Sequence, residues 1–528
     1  MPSDCISYQN SGYFTPLITD YLDQNENLEP LYNRFPTLEN FEKQIAEKSA
    51  NYNHSNRLVL AAALRSQYKD TDISLATAAN IASLENQHTF TITTGHQLNL
   101  MTGPLYFLYK IISTINLTKQ LKVQYPGFDF VPVYWMATED HDFDEINFFN
   151  FKGKKFRWDR ESGGPVGRMD TSGLDEVLRL YATELGDGSN SEKIRELFEK
   201  AYLTKKNLAE ATRYLANALF GQYGLVILDA DSAELKRIFI PYMQRELIHQ
   251  IGYNSVTTSI ERLKDYNIQV NPREINLFYI EDIRERIVFQ DGGYIINNTD
   301  IRFTTAEILS ELEKHPEKFS PNVITRPLYE EVLLPNLCYI GGGGEIAYWL
   351  ELKAYFDQMD VTFPILLVRN SVLLVTSKQA SKADRLNLSW ADLFSKNLDL
   401  VNTKVRELSE FPIDLSPQKA ALRKQFDELH RIALKTDKSF AGAVKAQETK
   451  QLKGLENLEK RLLKAQKRKH SDELGRMSAL QNELFPNQGL QERQANFSEF
   501  YLQSGETLIE RLVAELKPLD HEFKILVL

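Results

Sequence analysis

The chain is poor in cysteine: two in 528 residues, Cys5 and Cys338, far apart. That excludes a disulfide framework and a Cys-x-x-Cys metal site, and it suits a reducing compartment. Long apolar runs are missing too. The nearest candidate for a membrane span, Leu105 to Leu121, is interrupted by Lys110 and Lys119. The N-terminus, MPSDCISYQNSGYF, has no basic start leading into an apolar stretch, so a secretory signal is not expected. Positive charge is in deficit, with 62 Lys and Arg against 72 Asp and Glu. The net charge of -10 argues against nucleic-acid binding by the chain as a whole, while leaving a local basic patch open. No P-loop and no dinucleotide glycine pattern occurs. With 42% apolar and 25% charged residues, the composition is that of a soluble globular protein, expected in the cytoplasm.

Two strand-ends about forty residues apart stand out. The first is TFTITTGHQLNLMTGPLYFLYK, Thr89 to Lys110; the second is FVPVYWMATEDHDFDEINFFNF, Phe130 to Phe151. Each begins as an apolar, β-rich run and ends abruptly in titratable residues: His96 and Gln97 in one, Glu139, Asp140, His141 and Asp142 in the other. Open α/β sheets bind ligands beyond the carboxyl ends of their strands, which makes these the expected places for chemistry.

Further units continue the pattern. Arg57 to Gln67 reads as a helix, and Thr102 as the N-cap of another, followed by Gly103, Pro104 and the apolar stripe Leu105, Leu108, Ile112, Ile115. GLVILDAD, Gly224 to Asp231, is a third buried strand, with a helix from about Ala233. Residues 275–297 form a β-meander turning at Asp291-Gly292-Gly293. Leu337 to Ile340 leads into Gly341 to Gly344 and a helix from Glu345. Strands separated by helices predict a Rossmann-like, doubly wound, mostly parallel sheet with helical insertions. From Ser416 an apolar spacing of three and four residues predicts an antiparallel coiled-coil hairpin. Gly442 interrupts it, and a helix over 445–484 would run ~60 Å before Pro486. The expected segments are 1–151 and 223–400 for the core, 152–222 for a helical insertion, 416–486 for the coiled coil, and 487–528 returning to the core.

Each candidate has an ordinary structural reading beside the functional one. Gly95-His96-Gln97 can meet phosphate or developing negative charge, or simply turn the chain. Glu139, Asp140, His141 and Asp142 can ligate a metal, orient an amine or accept a proton, or form a solvated acidic loop. Gly341, Gly342, Gly343 and Gly344 before Glu345 suit an anion cradle or a flexible turn. Asp229 ends its strand as a ribose contact or a helix cap, and Arg326 and Arg369 are carboxylate or phosphate clamps or structural ion pairs. Tyr106 and Lys110 lie one and two helical turns along from the first strand-end. The run Lys460 to His470 could touch an RNA backbone or be a solvated helix face.

Taken together, these segments resemble one family. GHQLNLMTGPLY matches a G-[HQ]-Q-x(4)-TGP-L-Y signature, and WMATEDHDFDE matches a WxATEDHDFxE block. SPNVITRPLYEEVLLPNLCYIGGGGEIAYWLELK and LFPNQGLQER match two more, with Gly343 standing where a proline is the expected residue. The chain is similar to the BshC family, cysteine ligases of bacillithiol biosynthesis. The resemblance implies a core related to class I aminoacyl-tRNA synthetases, although neither a HIGH-type histidine pair nor a clear KMSKS-type loop is present; Val375 to Gln379 is a faint echo. It implies a ligase joining cysteine to the amino group of glucosaminyl malate, and a homodimer formed through the coiled coil. It also draws Thr102, Gly103, Pro104, Glu345, Tyr348 and Trp349 into the expected substrate site. Acylating an amine needs an activated carboxyl group, so ATP and Mg²⁺ are expected from the chemistry rather than from a motif. An RNA-binding protein on a synthetase-like core and a metal-dependent hydrolase using residues 139–142 are the competing readings.

Overall fold

A computed structural model describes residues Met1–Leu528. The chain divides into two compact units: one comprises Cys5–Leu373 and Gln491–Ile525, the other Met1–Asp4, Leu374–Leu490 and Leu526–Leu528.

The first unit is built on five parallel strands: β1 (Thr89–His96), β2 (Asp129–Met136), β3 (Val226–Asp229), β4 (Asn336–Gly341) and β5 (Ile365–Val368). Their spatial order is β5-β4-β1-β2-β3. Chain order reverses between β1 and β4, the switch point of a doubly wound Rossmann-like sheet. All eight residues of β1 are buried, as expected when helices cover both faces. Phe90, Ile92, Leu337, Ile340, Ile365 and Leu367 form part of one core cluster with Phe41, Ile45, Leu117 and Leu121 from flanking helices.

Helix α1 (Tyr106–Gln124) follows β1, and its predicted stripe is fully buried. So are Phe107, Tyr109, Ile111 and Leu117, because Asn116 on the far side donates to the carbonyls of Val513 and Leu516. The C-terminal segment therefore covers the face that a one-sided amphipathic helix would leave to water. Thr102 is not the cap of α1, since Leu105 occupies that position. Thr102 instead closes a 3₁₀ turn, Leu100–Thr102, with φ of +67°. Helices α2 (Ala233–His249), α3 (Thr325–Leu333) and α4 (Gly343–Trp349) complete the elements around the site. The meander forms as expected from Leu277–Ile280, Arg284–Gln290 and Gly293–Ile296, within a five-stranded antiparallel sheet.

The second unit holds the antiparallel hairpin of α5 (Ser416–Ala433) and α6 (Lys438–Lys469). Lys419 pairs with Glu459 and His430 with Glu448, so the two helices run in opposite directions. Phe426, Ala433 and Val444 pack between them. Gly442 does not break the helix; the turn comes earlier, at Leu434 to Asp437, where Asp437 accepts from the Phe440 amide. The break comes later, at His470, after which α7 (Ser471–Leu484) begins.

Candidate active site

β1 and β2 leave the sheet in register, Thr89 opposite Asp129 through His96 opposite Met136. The Ala137 amide donates to the His96 carbonyl at 3.0 Å. Gln97 Nε2 then donates to Asp140 Oδ2 at 2.9 Å and to Glu145 Oε2 at 2.8 Å. The two strand-ends therefore meet in one hydrogen-bonded wall.

Across the switch point, α1 is tied to the end of β4. Lys110 Nζ lies 2.5 Å from Glu345 Oε2 and donates to the Gly95 carbonyl at 2.7 Å. Glu345 also accepts from the Tyr339 hydroxyl and the Gly342 amide, each at 2.8 Å. Burial alone would raise the Glu345 carboxyl; Lys110, Gly342 and Tyr339 together hold it below its usual range. The glycine run is thus not an open anion cradle. The Gly342 amide is already taken by Glu345, α4 has only 7 residues, and none of the four glycines has a positive φ. Gly341 is needed because a Cβ there would lie 2.9 Å from Glu345 Cβ and 3.0 Å from Tyr339 Cε1. Gly343 is the first helical residue, a position whose φ suits proline, so the departure from the expected pattern costs little locally.

A cavity of about 800 Å³ opens between these ends, lined by Gly95, His96, Gln97, Tyr106 and Lys110 on the β1 side and by Gly342, Gly344, Glu345 and Tyr348 on the β4 side. Its charge is unlike that of the chain. Seven basic residues line it (Lys110, Arg273, Arg284, Arg286, Arg326, Arg369, Arg493) against four acidic ones (Glu139, Asp140, Glu145, Glu345). Arg326 is held by Glu330 at 2.6 Å and by the Tyr348 hydroxyl at 3.3 Å. Arg369 is held by Glu492 at 2.7 Å, while its Nε is buried without a partner. Arg273, Arg286 and Arg493 form no ion pair.

The acidic cluster divides. Glu139 lines the cavity and is paired with buried Lys236 at 2.6 Å; Lys236 also reaches Asp231 at 3.2 Å. Burial raises the Glu139 carboxyl, with Lys236 opposing. Asp140 lines the cavity too, but His141 and Asp142 do not. His141 Nδ1 is 2.9 Å from Arg284 Nη1, and partial burial together with that guanidinium lowers its pKa, so the ring is a neutral acceptor. Asp142 is exposed, and its amide donates to Asp140 Oδ1. Asp229 lies outside the cavity, accepting from the Thr138 hydroxyl at 2.5 Å and the Asp231 amide at 3.0 Å. Trp349 is core: fully buried, with its ring 4.5 Å from that of Tyr339. Gly341, Gly343, Thr102, Gly103 and Pro104 do not line the cavity either. No group of three or more His, Cys, Asp or Glu is placed to hold a metal ion.

Sequence reasoning missed Arg273, Arg284, Arg286 and Arg493. Arg284 and Arg286 carry a readable signal, two residues apart on one strand and so on one face. Glu492 and Arg493 sit in the LFPNQGLQER block, yet nothing local says that this segment returns to the site.

The N-terminal Rossmann-like domain of the bacillithiol biosynthesis BshC family matches residues 1–370, and the family's C-terminal coiled-coil domain matches residues 372–528. A protein of Flavobacterium johnsoniae named "putative cysteine ligase BshC" is 65% identical over 529 residues, covering 100% of both chains. Relatives of the same name are 40% identical in Cytophaga hutchinsonii, over 97% of this chain and 96% of that one, and 26% identical in Bacillus cereus, over 94% and 95%. With both of its domains matched and these relatives aligned along nearly their whole length, the chain belongs to the bacillithiol biosynthesis BshC family.

Proposed function

We propose that this protein is a cysteine ligase of bacillithiol biosynthesis, joining the carboxyl group of L-cysteine to the amino group of glucosaminyl malate. The name carried by its relatives supports this, and one observation of the site carries it: a cation-rich cavity at the switch point, with carboxylates along one wall. The malyl group brings two carboxylates, which suit the guanidinium groups. The amino groups of both substrates suit the wall formed by Gln97, Asp140 and Glu145. ATP is the expected source of activation, and the unpaired Arg273, Arg286 and Arg493 fit its phosphates. The residues present do not fit a resident metal site, so Mg²⁺ belongs with the nucleotide.

The competing readings have less support. A metal-dependent hydrolase lacks a ligand set. The Lys460 to His470 run is largely a solvated face, with Lys469 paired to Glu410 at 2.8 Å. The deciding assay incubates purified protein with cysteine, glucosaminyl malate and ATP-Mg, follows bacillithiol by mass, and omits ATP in parallel. Product is expected only with ATP. No product under either condition would remove the ligase reading, and equal product without ATP would remove the nucleotide.

Pairing of two copies through the coiled coil belongs to the same reading. Leu429, Ile432 and Leu458 are apolar side chains that stand 41%, 54% and 54% exposed at separate points along the hairpin. Sedimentation equilibrium is expected to show a dimer that Ile432→Lys with Leu458→Lys dissociates; a wild-type monomer at all concentrations would contradict it. Cytoplasmic residence is the matching expectation, supported by the scarcity of cysteine, two in 528 residues. No helix is long and apolar enough to cross a membrane.

A further inference from the structure

The cavity holds several buried acceptors, and nearly all are committed. Glu139 is held by Lys236 and Glu345 by Lys110. The exception is His96, 7% exposed, whose Nε2 is buried without a partner. The ring also hydrogen-bonds the backbone of Thr102, a contact that favours its protonated form, so the ring is the donor there. With one nitrogen donating, the free Nε2 of the neutral ring is an acceptor.

The fold fixes that tautomer at a local cost. Met101, Thr102 and Gly103 all have positive φ, at 50°, 67° and 63°. For Met101 and Thr102 this is strained backbone, which persists only where the surroundings over-determine it. Asn496 Nδ2 donates to the carbonyls of Met101 and Gly103 at 2.8 and 2.6 Å, and the Met101 amide donates to the Tyr202 hydroxyl at 2.8 Å. Three clamps on a strained turn thus keep the Thr102 backbone in place against the ring.

An acceptor is the wrong polarity for a phosphate oxygen and the right one for an amine. We infer that His96 is the proton acceptor for the attacking amine in amide formation. The inference rests on the ligase reading above. The amine nitrogen attacks the acyl carbon of a cysteine carboxyl activated as a mixed anhydride with phosphate, from a nucleoside triphosphate. A C–N bond forms, the C–O bond to phosphate breaks with its electron pair leaving on oxygen, and the amine proton passes to Nε2. Tyr106, Lys110 and Arg369 are the charged or titratable groups facing the ring. The Tyr106 ring is 5.4 Å away edge-on and also stands under Arg369 at 5.2 Å, so the free acceptor and the unpartnered Arg369 Nε share one end of the cavity. Burial first, then the cations Lys110 and Arg369, push the His96 pKa well below its ordinary value, which keeps Nε2 unprotonated at neutral pH.

The test is the pH profile of kcat/KM for the amine substrate. Wild-type turnover establishes the ligase reading separately; if there is none, that reading fails, not merely this one. Given turnover, the wild-type rate is expected to fall on an acid limb that lies well below the ordinary histidine range. His96→Gln is expected to lower kcat/KM by about 10²–10³-fold and to abolish that limb, while Kd for glucosaminyl malate, by calorimetry, changes less than its rate. Added imidazole is expected to restore part of the activity of His96→Gly. His96→Gln activity within threefold of wild type, or an acid limb that survives in it, overturns the assignment.

Discussion

Glu492→Ala is expected to destabilise the fold by about 3–5 kcal/mol, the usual cost of removing one partner from a buried ion pair. Arg369 and Glu492 are 4% and 1% exposed, so water cannot take the place of the lost carboxylate. Glu492 also accepts from the Val372 amide at 3.1 Å and the Ser371 hydroxyl at 3.2 Å, and these donors are orphaned with it. The loss reaches the cavity because Arg369 lines it. A guanidinium released from its anchor presents its donors less well, so KM for the anionic substrate rises together with the fall in stability. Glu492→Gln lies between the two: the Ser371 hydroxyl and the Val372 amide donate to different carboxylate oxygens, so the single amide oxygen keeps an acceptor for one of them, without the charge. Urea melts of the three proteins are expected to rank wild type, then Gln, then Ala. Equal stability of Ala and wild type would mean that the pair holds nothing in place.

Lys110→Met is the second large effect. It removes the tie from Glu345 to the Gly95 carbonyl, and so from α4 to the end of β1. The same range of about 3–5 kcal/mol applies to such a pair. The 26% exposure of Glu345 and its remaining bonds to Tyr339 and Gly342 move the expectation to the low end. The pH dependence has a definite sign. Lys110 is one of the cations that depress the His96 pKa, so its removal raises that pKa. A larger fraction of His96 is then protonated at any mildly acidic pH, and the acid limb of kcat/KM moves to higher pH. Comparing the rates at pH 6 and pH 8 gives the result directly: the ratio falls in Lys110→Met relative to wild type. An unchanged ratio would show that Lys110 does not act on the group that titrates.

Much of the site was legible because some of its signals are local. A strand announces its end when an apolar run stops in polar residues, and this pointed to His96, Gln97, Glu139 and Asp140. Spacing along a helix placed Tyr106 and Lys110 on the cavity side. The same rule, applied residue by residue, separates Tyr348 from Trp349: neighbours on a helix point about 100° apart, and one faces the cavity while the other packs on Tyr339. The resemblance draws both into the expected substrate site. Residues 139–142 do not line the cavity together, for a related reason. After Asp140 the chain turns into a short helix, Phe143–Ile146, which carries Asp142 into solvent and leaves His141 against Arg284.

By itself, the sequence determined the doubly wound class, the strand-ends that line the cavity, the hairpin and the family. These are properties of period, punctuation and motif, which neighbouring residues carry between them. The tertiary structure alone decided which charges are spent and which are free. Gln97 meets Asp140 because β1 and β2 run in register, Glu345 is consumed by Lys110 across the switch point, and Glu492 returns from the far end of the chain to anchor Arg369. Those pairings depend on distances between residues remote in sequence, where burial multiplies the strength of each contact and no local pattern records it.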